Sequence, residues 1–540
     1  MATTMDPAFV PAPRKVTWAG VGVKLSNGMV VAADEALAPV ASLLASEIEA
    51  SSGWRVEREG LAHGNEHGAV RLRLEGGNDL EGGSDLEGGN GLDEGYSLAC
   101  RDGVVEIVAR SPAGAFYATR TLRQLLPADW LRAAPVSPAT EVVIPGVEIE
   151  DHPRFAWRGV HLDVARHFFS KRFVLRLIEL ASLHKMNVLH LHLTDDQGWR
   201  FQSERYPKLT EIGAWRRESP AGHYSEHRFD GVPHGGFFSK MDLREIVAHA
   251  SRHHMVVVPE IDMPGHMQAA IAAYPELGNL AQPLQVMTEW GISEHVLNLE
   301  EPAVRFCQEI LEEVMEVFPG RYVHIGGDEC PLTEWRASAV ARGRWESLGL
   351  RGPEELQSWF TDRVAEVLAS RSRVLVGWQE IAERRAPAGA VVMPWQQASA
   401  QEAAARAARS GHQVVMTPED RTYFDWAQSD DSAEPVAIRG STSVQEVYDF
   451  EPVPAGAGEE HVIGTQCQLW TEYVATAEQA EYMYFPRLCA FSEVAWSAKE
   501  RDWPGFEHRL RAHLARLDAL GVNYRPLGGP TPGQSRAWGC

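Results

Sequence analysis

NVLHLHLTDD, residues 187–196, sets Val188, Leu189, Leu191 and Leu193 around two histidines and stops at two aspartates. It is too short for an ordinary helix, and its apolar residues do not alternate strictly, as they would on a sheet with one wet face. Such a run reads as a strand buried on both sides. RGVHLDV (158–164) precedes it on the same plan, and MVVVPEID (255–262), YVHIGGDE (322–329), RVLVGWQE (373–380), AVVMPW (390–395), QVVMTP (413–418) and VIGTQCQLW (462–470) follow. Segments with helical apolar spacing intervene, among them FVLRLIELASLHKM (173–186), LREIVAHASRHH (243–254) and LQSWFTDRVAEVLASR (356–371). Eight buried strands alternating with helices predict an α/β fold, a (β/α)8 barrel. The rival, an open doubly wound sheet, calls for a Gly-rich phosphate loop after an early strand, and the sequence has none there.

Residues 1–150 read differently. AVRLRLE (69–75) alternates with period two, VVEIVA (104–109) is strand-like, and GAFYATRTLRQLL (114–126) has helical spacing, which predicts a smaller α+β domain. The Gly/Asp/Glu repeat EGGNDLEGGSDLEGGNGLDEGY (75–96) between the first two reads as a hairpin loop without chemistry. The Pro-rich stretch 133–153 marks the boundary, so 151–540 is assigned to the barrel and a C-terminal helical tail.

Composition narrows the partners. A formal net charge of −23 over 540 residues opposes nucleic acid and anionic lipid surfaces. No stretch approaches the roughly 20 apolar residues of a membrane span. The first residues, MATTMDPAFVPAPRKVTWAG, lack the apolar core of a signal peptide, so a cytoplasmic location is expected. Six cysteines without a CxxC pair read as reduced, buried thiols.

In a barrel of this kind the active site gathers where the strands end. Those exits carry acids and tryptophans: Asp195 and Asp196, Glu260 and Asp262, Asp328 and Glu329, Trp378 and Glu380, Trp395, Trp470 and Glu472. Carboxylates accept hydrogen bonds from hydroxyls and indole faces pack on the C–H face of a pyranose, so the mixture suits a sugar. The adjacent pair Asp328–Glu329 is odd for a glycosidase, because successive residues on a strand face opposite ways and cannot both flank one scissile bond. Either one acid is structural or the nucleophile is not a protein group.

HIGGDE (324–329) resembles the catalytic motif of the β-N-acetylhexosaminidases, family-20 glycoside hydrolases. WRGVHLDVARHFF, NVLHLHLTDDQGWR, PEIDMPGH, GWQE, TYFD, QLWTEY and FPRLCAFSEVAW resemble further blocks of that family, in order, across residues 150–500. The resemblance implies exo-acting removal of terminal β-linked N-acetylglucosamine or N-acetylgalactosamine. It implies retention through substrate assistance, in which the 2-acetamido oxygen attacks C1 and forms an oxazolinium ion. By the same resemblance Glu329 is the acid/base and Asp328 steadies the acetamido group. Tyr423 aims its oxygen, and His266 and Asp195 form a relay to Glu329. Arg158, Trp378, Trp395, Asp425, Trp470 and Glu472 are implied as sugar-binding residues, with Asp163 and Asp262 as supporting carboxylates. No metal or other cofactor is implied, and the partner is a saccharide ending in an N-acetylhexosamine.

Two other readings stay open at this level. HLH (190–192) places two imidazoles on one strand face, a spacing that metal-dependent barrel amidohydrolases use. A carbohydrate-binding barrel without activity is the second. The segment 426–462, a long excursion after the seventh strand, is expected to form a loop and helix beside the pocket.

Overall fold

The computed structural model describes residues 8–61, 69–75, 92–136, 139–280 and 283–537. Most of the acidic repeat, residues 76–91, and Cys540 lie outside them, so the hairpin-loop reading falls there as well. The other five cysteines carry free thiols.

The expected barrel is present. Its strands are Trp157–Asp163, Val188–His192, Val256–Glu260, Tyr322–His324, Val374–Trp378, Val391–Met393, Gln413–Met416 and Val462–Cys467, one for each apolar run. Each pairs in parallel with the next, and the eighth closes on the first through Trp157↔Gly464 to Val160↔Cys467. The runs are mostly apolar because both faces are covered. Val188, Val258, Tyr322, Val376, Met393 and Val415 fill the interior, while Leu189, Leu191 and Val257 pack outward on helices Lys171–Leu183 and Lys240–Arg252. Both helices start at a serine whose hydroxyl accepts from the backbone N–H three residues on, Ser170 from Phe173 and Ser239 from Asp242.

Ahead of the barrel stands a mixed seven-stranded sheet covered by helices Ala38–Ser52 and Pro112–Leu125. Val31, Leu72, Leu98 and Ile107 from the sheet meet Leu44, Ile48, Phe116 and Leu122 from the helices. The burial of Val70–Leu74 alternates as its period-two pattern requires. The two parts are joined by buried polar contacts. Asp151 takes the Lys185 ammonium at 2.7 Å, the Tyr96 hydroxyl at 2.7 Å and the Trp496 indole N–H at 3.0 Å.

Arg158 belongs to this joint and not to the sugar site, which corrects the sequence assignment. It is the second residue of the first strand, at the end of the barrel away from the strand exits. Its guanidinium is fully buried 2.6 Å from Glu94 of the N-terminal part and donates to the carbonyls of Lys185 and Phe155. Trp496 lies beneath it at 5.0 Å. Arg158→Leu leaves Glu94 buried without its partner, so the variant is expected to lose about 3–5 kcal/mol of stability. Denaturant unfolding measures that loss, and KM for substrate should stay at the wild-type value; a raised KM with unchanged stability would restore Arg158 to the site.

Candidate active site

The strand exits converge on a cleft lined by Arg166, Asp328, Glu329, Trp378, Trp395, Tyr423, Asp425, Trp470 and Glu472, together with Glu419, Trp426, Ile438 and Arg439. Trp378 ends the fifth strand and is almost wholly buried, forming the floor. Trp470 lies 5.8 Å from it, centre to centre, and Tyr423 stacks on Trp395 at 6.2 Å with an 18° tilt. Glu380 fixes Trp395 by accepting its indole N–H at 3.1 Å, and burial with the nearby Asp328 raises the Glu380 carboxyl to about 8.

Asp328 and Glu329 do not sit on the strand, which ends at His324. The intervening Gly326 and Gly327 have φ of 66° and 90°, and Glu329 itself has φ 44°. At Gly326 a Cβ would fall 1.8 Å from an Asp262 carboxylate oxygen, so only glycine admits the turn. The loop cancels the opposite-face rule: His266 Nε2 is 3.7 Å from Asp328 Oδ2 and 3.7 Å from Glu329 Oε2. A side chain of this size at positive φ is costly and concentrates at working sites. Glu329 and His266, at φ 52°, both pay it here.

Burial is the largest influence on both acids. It raises Glu329, with the Asp328 charge adding to the rise and His266 opposing it. It raises Asp328 too, against His266 and with Glu260. Burial disfavours the His266 cation, yet Asp195 at 3.2 Å and Asp196 at 3.3 Å from Nδ1 hold it well above the usual imidazole range. Asp195 thus holds His266 by a hydrogen bond at Nδ1, and the other ring nitrogen faces Glu329 across 3.7 Å, an ion-pair distance and not a hydrogen bond. At the far wall Asp425 and Glu472 are both pushed up, first by burial; for Asp425 the charge of Glu472 adds to it. Asp425 Oδ1 is buried with no hydrogen-bond partner among the described residues, an acceptor open to a ligand.

The arginine at the strand-exit wall of the cleft is Arg166, three residues past the first strand, and not Arg158. Its guanidinium is 3.1 Å from Asp163, 2.8 Å from Asp195 and 4.0 Å from Glu472, and lies 5.1 Å over Trp470. Its position just after a strand exit was the available signal. Asp163 also caps the loop behind it, accepting from the Ala165 and Arg166 N–H groups, while Asp262 Oδ1 accepts from Gly327. The excursion 426–462 supplies Trp426, Ile438 and Arg439 to the rim and carries a short helix, Val444–Tyr448, as expected of it. His190 and His192, the pair behind the amidohydrolase reading, both point at Glu260 at 3.1 and 2.6 Å.

Comparison with known proteins agrees with this geometry. Residues 155–499 match the family model "Glycosyl hydrolase family 20, catalytic domain", and residues 6–152 match "Glycosyl hydrolase family 20, domain 2". The chain is 33% identical to a β-N-acetylhexosaminidase of Cellulomonas fimi, over 98% of this chain and 99% of that one. It is 35% identical to a β-hexosaminidase of Porphyromonas gingivalis over 96% of its own length, and spans 64% of that longer relative. The solved family-20 β-N-acetylhexosaminidase of Streptomyces coelicolor A3(2) superposes with a TM-score of 0.82 at 32% identity, covering 97% and 98% of the two chains. A Streptomyces plicatus β-hexosaminidase variant with GlcNAc bound as product gives the same TM-score and identity, over 97% of each chain. With a strand-exit cleft of acids and indoles and these matches over nearly all its length, the chain belongs to glycosyl hydrolase family 20, residues 155–499 being its glycoside-hydrolase catalytic domain.

Proposed function

We propose that the cleft removes terminal, non-reducing β-linked N-acetylhexosamine with retention, using the substrate's acetamido oxygen as nucleophile. The observation that carries this reading is the shared approach of Asp328 and Glu329 to one nitrogen, His266 Nε2. Two carboxyls grouped on one side do not bracket a glycosidic bond as nucleophile and acid do. They can divide the work at one end of the sugar. Glu329, a third exposed at the edge of the cleft, gives its proton to the leaving oxygen and then takes one from water. Asp328, whose buried Oδ1 has no hydrogen-bond partner among the described residues, accepts the acetamido N–H and offsets the charge of the forming oxazolinium ring.

The aromatic side chains complete the division. Trp378, Trp395 and Trp470 enclose the acetamido methyl and the sugar face, and the Tyr423 hydroxyl directs the carbonyl oxygen at C1. Arg166, Asp425 and Glu472 hold the ring hydroxyls, the fork of the guanidinium matching two adjacent oxygens. Asp195 keeps His266 charged and oriented toward the acid/base.

Aryl N-acetyl-β-glucosaminide and the matching galactosaminide test the reading directly, with the anomer of the first-formed product followed by NMR. Release of the β-sugar is expected, and inverted product or inactivity on both would overturn it. On the same substrate Tyr423→Phe should lower kcat on the order of 10²-fold while KM changes little, because the hydroxyl serves the attack geometry. Unchanged kcat would remove Tyr423 from the role.

A further inference from the structure

Beneath the cleft floor lies a second, fully buried layer of ionisable groups that contacts no substrate. Glu260, last residue of the third strand, is ringed by nitrogen. Oε1 accepts the Trp378 indole N–H at 2.9 Å and has His324 Nδ1 at 2.9 Å; Oε2 has His192 Nδ1 at 2.6 Å and His190 Nε2 at 3.1 Å. The His190 tautomer is fixed from behind. Trp157 donates to Gln466 Oε1, so the Gln466 amide N–H₂ donates to His190 Nδ1 at 2.9 Å and leaves the His190 proton on Nε2. Oε2 is then faced by the His190 Nε2 proton at 3.1 Å, as an ion-pair contact without a hydrogen bond, and hydrogen-bonded by His192 Nδ1 at 2.6 Å.

The other ring nitrogen of His192 faces a second carboxylate. His192 Nε2 is 2.8 Å from Asp195 Oδ2, an oxygen that also takes Arg166 Nη2 at 2.8 Å. Asp195 Oδ1 accepts the Asp196 N–H at 2.7 Å and pairs with His266. Asp195, bound by a guanidinium, is an acceptor only. An imidazole between two acceptors must donate from both nitrogens, which only the cation does.

We infer that His192 is a positioning residue for the reaction: a permanent imidazolium clamped between Glu260 and Asp195 that ties the Trp378 floor to the Asp195–His266 relay. It is completely buried and packs edge-on against Trp470 at 4.9 Å, so one side chain braces two walls of the cleft and the relay. The remaining groups facing it are His161, His190, Asp262 and Asp328, with Arg166 beyond Asp195. The two carboxylates outweigh its burial and hold it well above the usual imidazole range. This role rests on the family-20 reading of the cleft, whereas the protonation state does not.

The direct test is proton NMR of the whole protein labelled with ¹⁵N-histidine. Two slowly exchanging ring N–H signals that vanish in His192→Gln should persist from pH 6 to pH 9. A single ring proton at pH 8 overturns the clamp. In Glu260→Gln the second proton should become titratable within that range; its persistence there unchanged would remove Glu260 from the clamp. In His192→Gln, kcat should fall about 10-fold to 10²-fold through misplaced walls. The alkaline limb of kcat/KM should also rise by about half a pH unit or more, because losing a nearby cation makes Glu329 harder to ionise. A variant that only loses stability, with limb and kcat unmoved, overturns the link to the site. Should that variant not fold, wild type and Glu260→Gln still decide through the NMR signals. Inactivity of the wild type on every N-acetylhexosaminide would sink the proposed function while leaving the NMR result standing.

Discussion

Glu329→Gln is expected to lose on the order of 10²–10⁴-fold in kcat/KM on chitobiose, whose leaving sugar needs a proton. The amide cannot supply that proton, and the shape of the cleft is otherwise kept. On an aryl glycoside with an acidic phenol the loss should be smaller, because bond cleavage then asks little of the acid. The dependence of the loss on leaving group is the signature of a proton donor. A uniform loss on both substrates would point to a structural part for Glu329. The pH profile carries the same information. Burial raises the Glu329 carboxyl, with Asp328 adding to it. Its acid form, the one that protonates the leaving oxygen, therefore survives further toward neutrality than an ordinary glutamic acid and is lost as pH rises through the shifted value. Wild-type kcat/KM should fall on that alkaline side, and in Glu329→Gln the limb should disappear. A limb that remains in the variant belongs to another group, and the assignment would fail.

The barrel was legible because its eight strands are covered on both faces and so write near-continuous apolar runs, each ending at polar exits. The cleft was legible in outline for the same reason: Trp378, Trp395, Trp470, Asp328, Glu329 and Glu472 follow those runs in sequence and line one cavity in space. What the sequence hid depends on direction and on long-range partners. Arg158 and Arg166 stand in one block, and residue type cannot say that one meets Glu94 at the domain joint while the other meets Asp195 at the exit. Asp328 and Glu329 seemed bound to face apart, since the pleat rule was applied past the point where the strand stops. Two glycines at positive φ unwind the chain there, and both acids turn toward His266. Glu260 reads as a strand exit and His192 as part of a strand, and each closes its strand. Their meaning appears only when Trp378, 118 positions away from Glu260, is seen to donate to it.

Replacing the acetamido group of the substrate by hydroxyl should affect the rate more than any single substitution in the protein. An aryl β-glucoside retains the scissile bond, the leaving group and the other ring hydroxyls, and exchanges only the proposed nucleophile for a hydroxyl. Intramolecular attack by a well-placed group is worth about 7–11 kcal/mol, or effective molarities on the order of 10⁵–10⁸ M. The glucoside is therefore expected to react at least about 10⁵-fold more slowly than the N-acetylglucosaminide. The protein offers no ready substitute. Asp328 shares its side of the cleft with Glu329 through His266, and Asp425 and Glu472 occupy the wall that the ring hydroxyls meet. Mass spectrometry of enzyme quenched during turnover of a 2-deoxy-2-fluoro glycoside gives the complementary measurement. No sugar should be found esterified to Asp328, Glu329, Asp425 or Glu472. A glycosyl ester on any of them, or a glucoside rate within about 10²-fold of the N-acetyl substrate, would mean that the enzyme provides the attacking oxygen. The grouping of the two carboxyls around His266 would then need another explanation. If instead the rate collapses and no ester forms, the tryptophan enclosure and the Tyr423 hydroxyl acquire their purpose, which is to hold a weak nucleophile still where a strong one is missing.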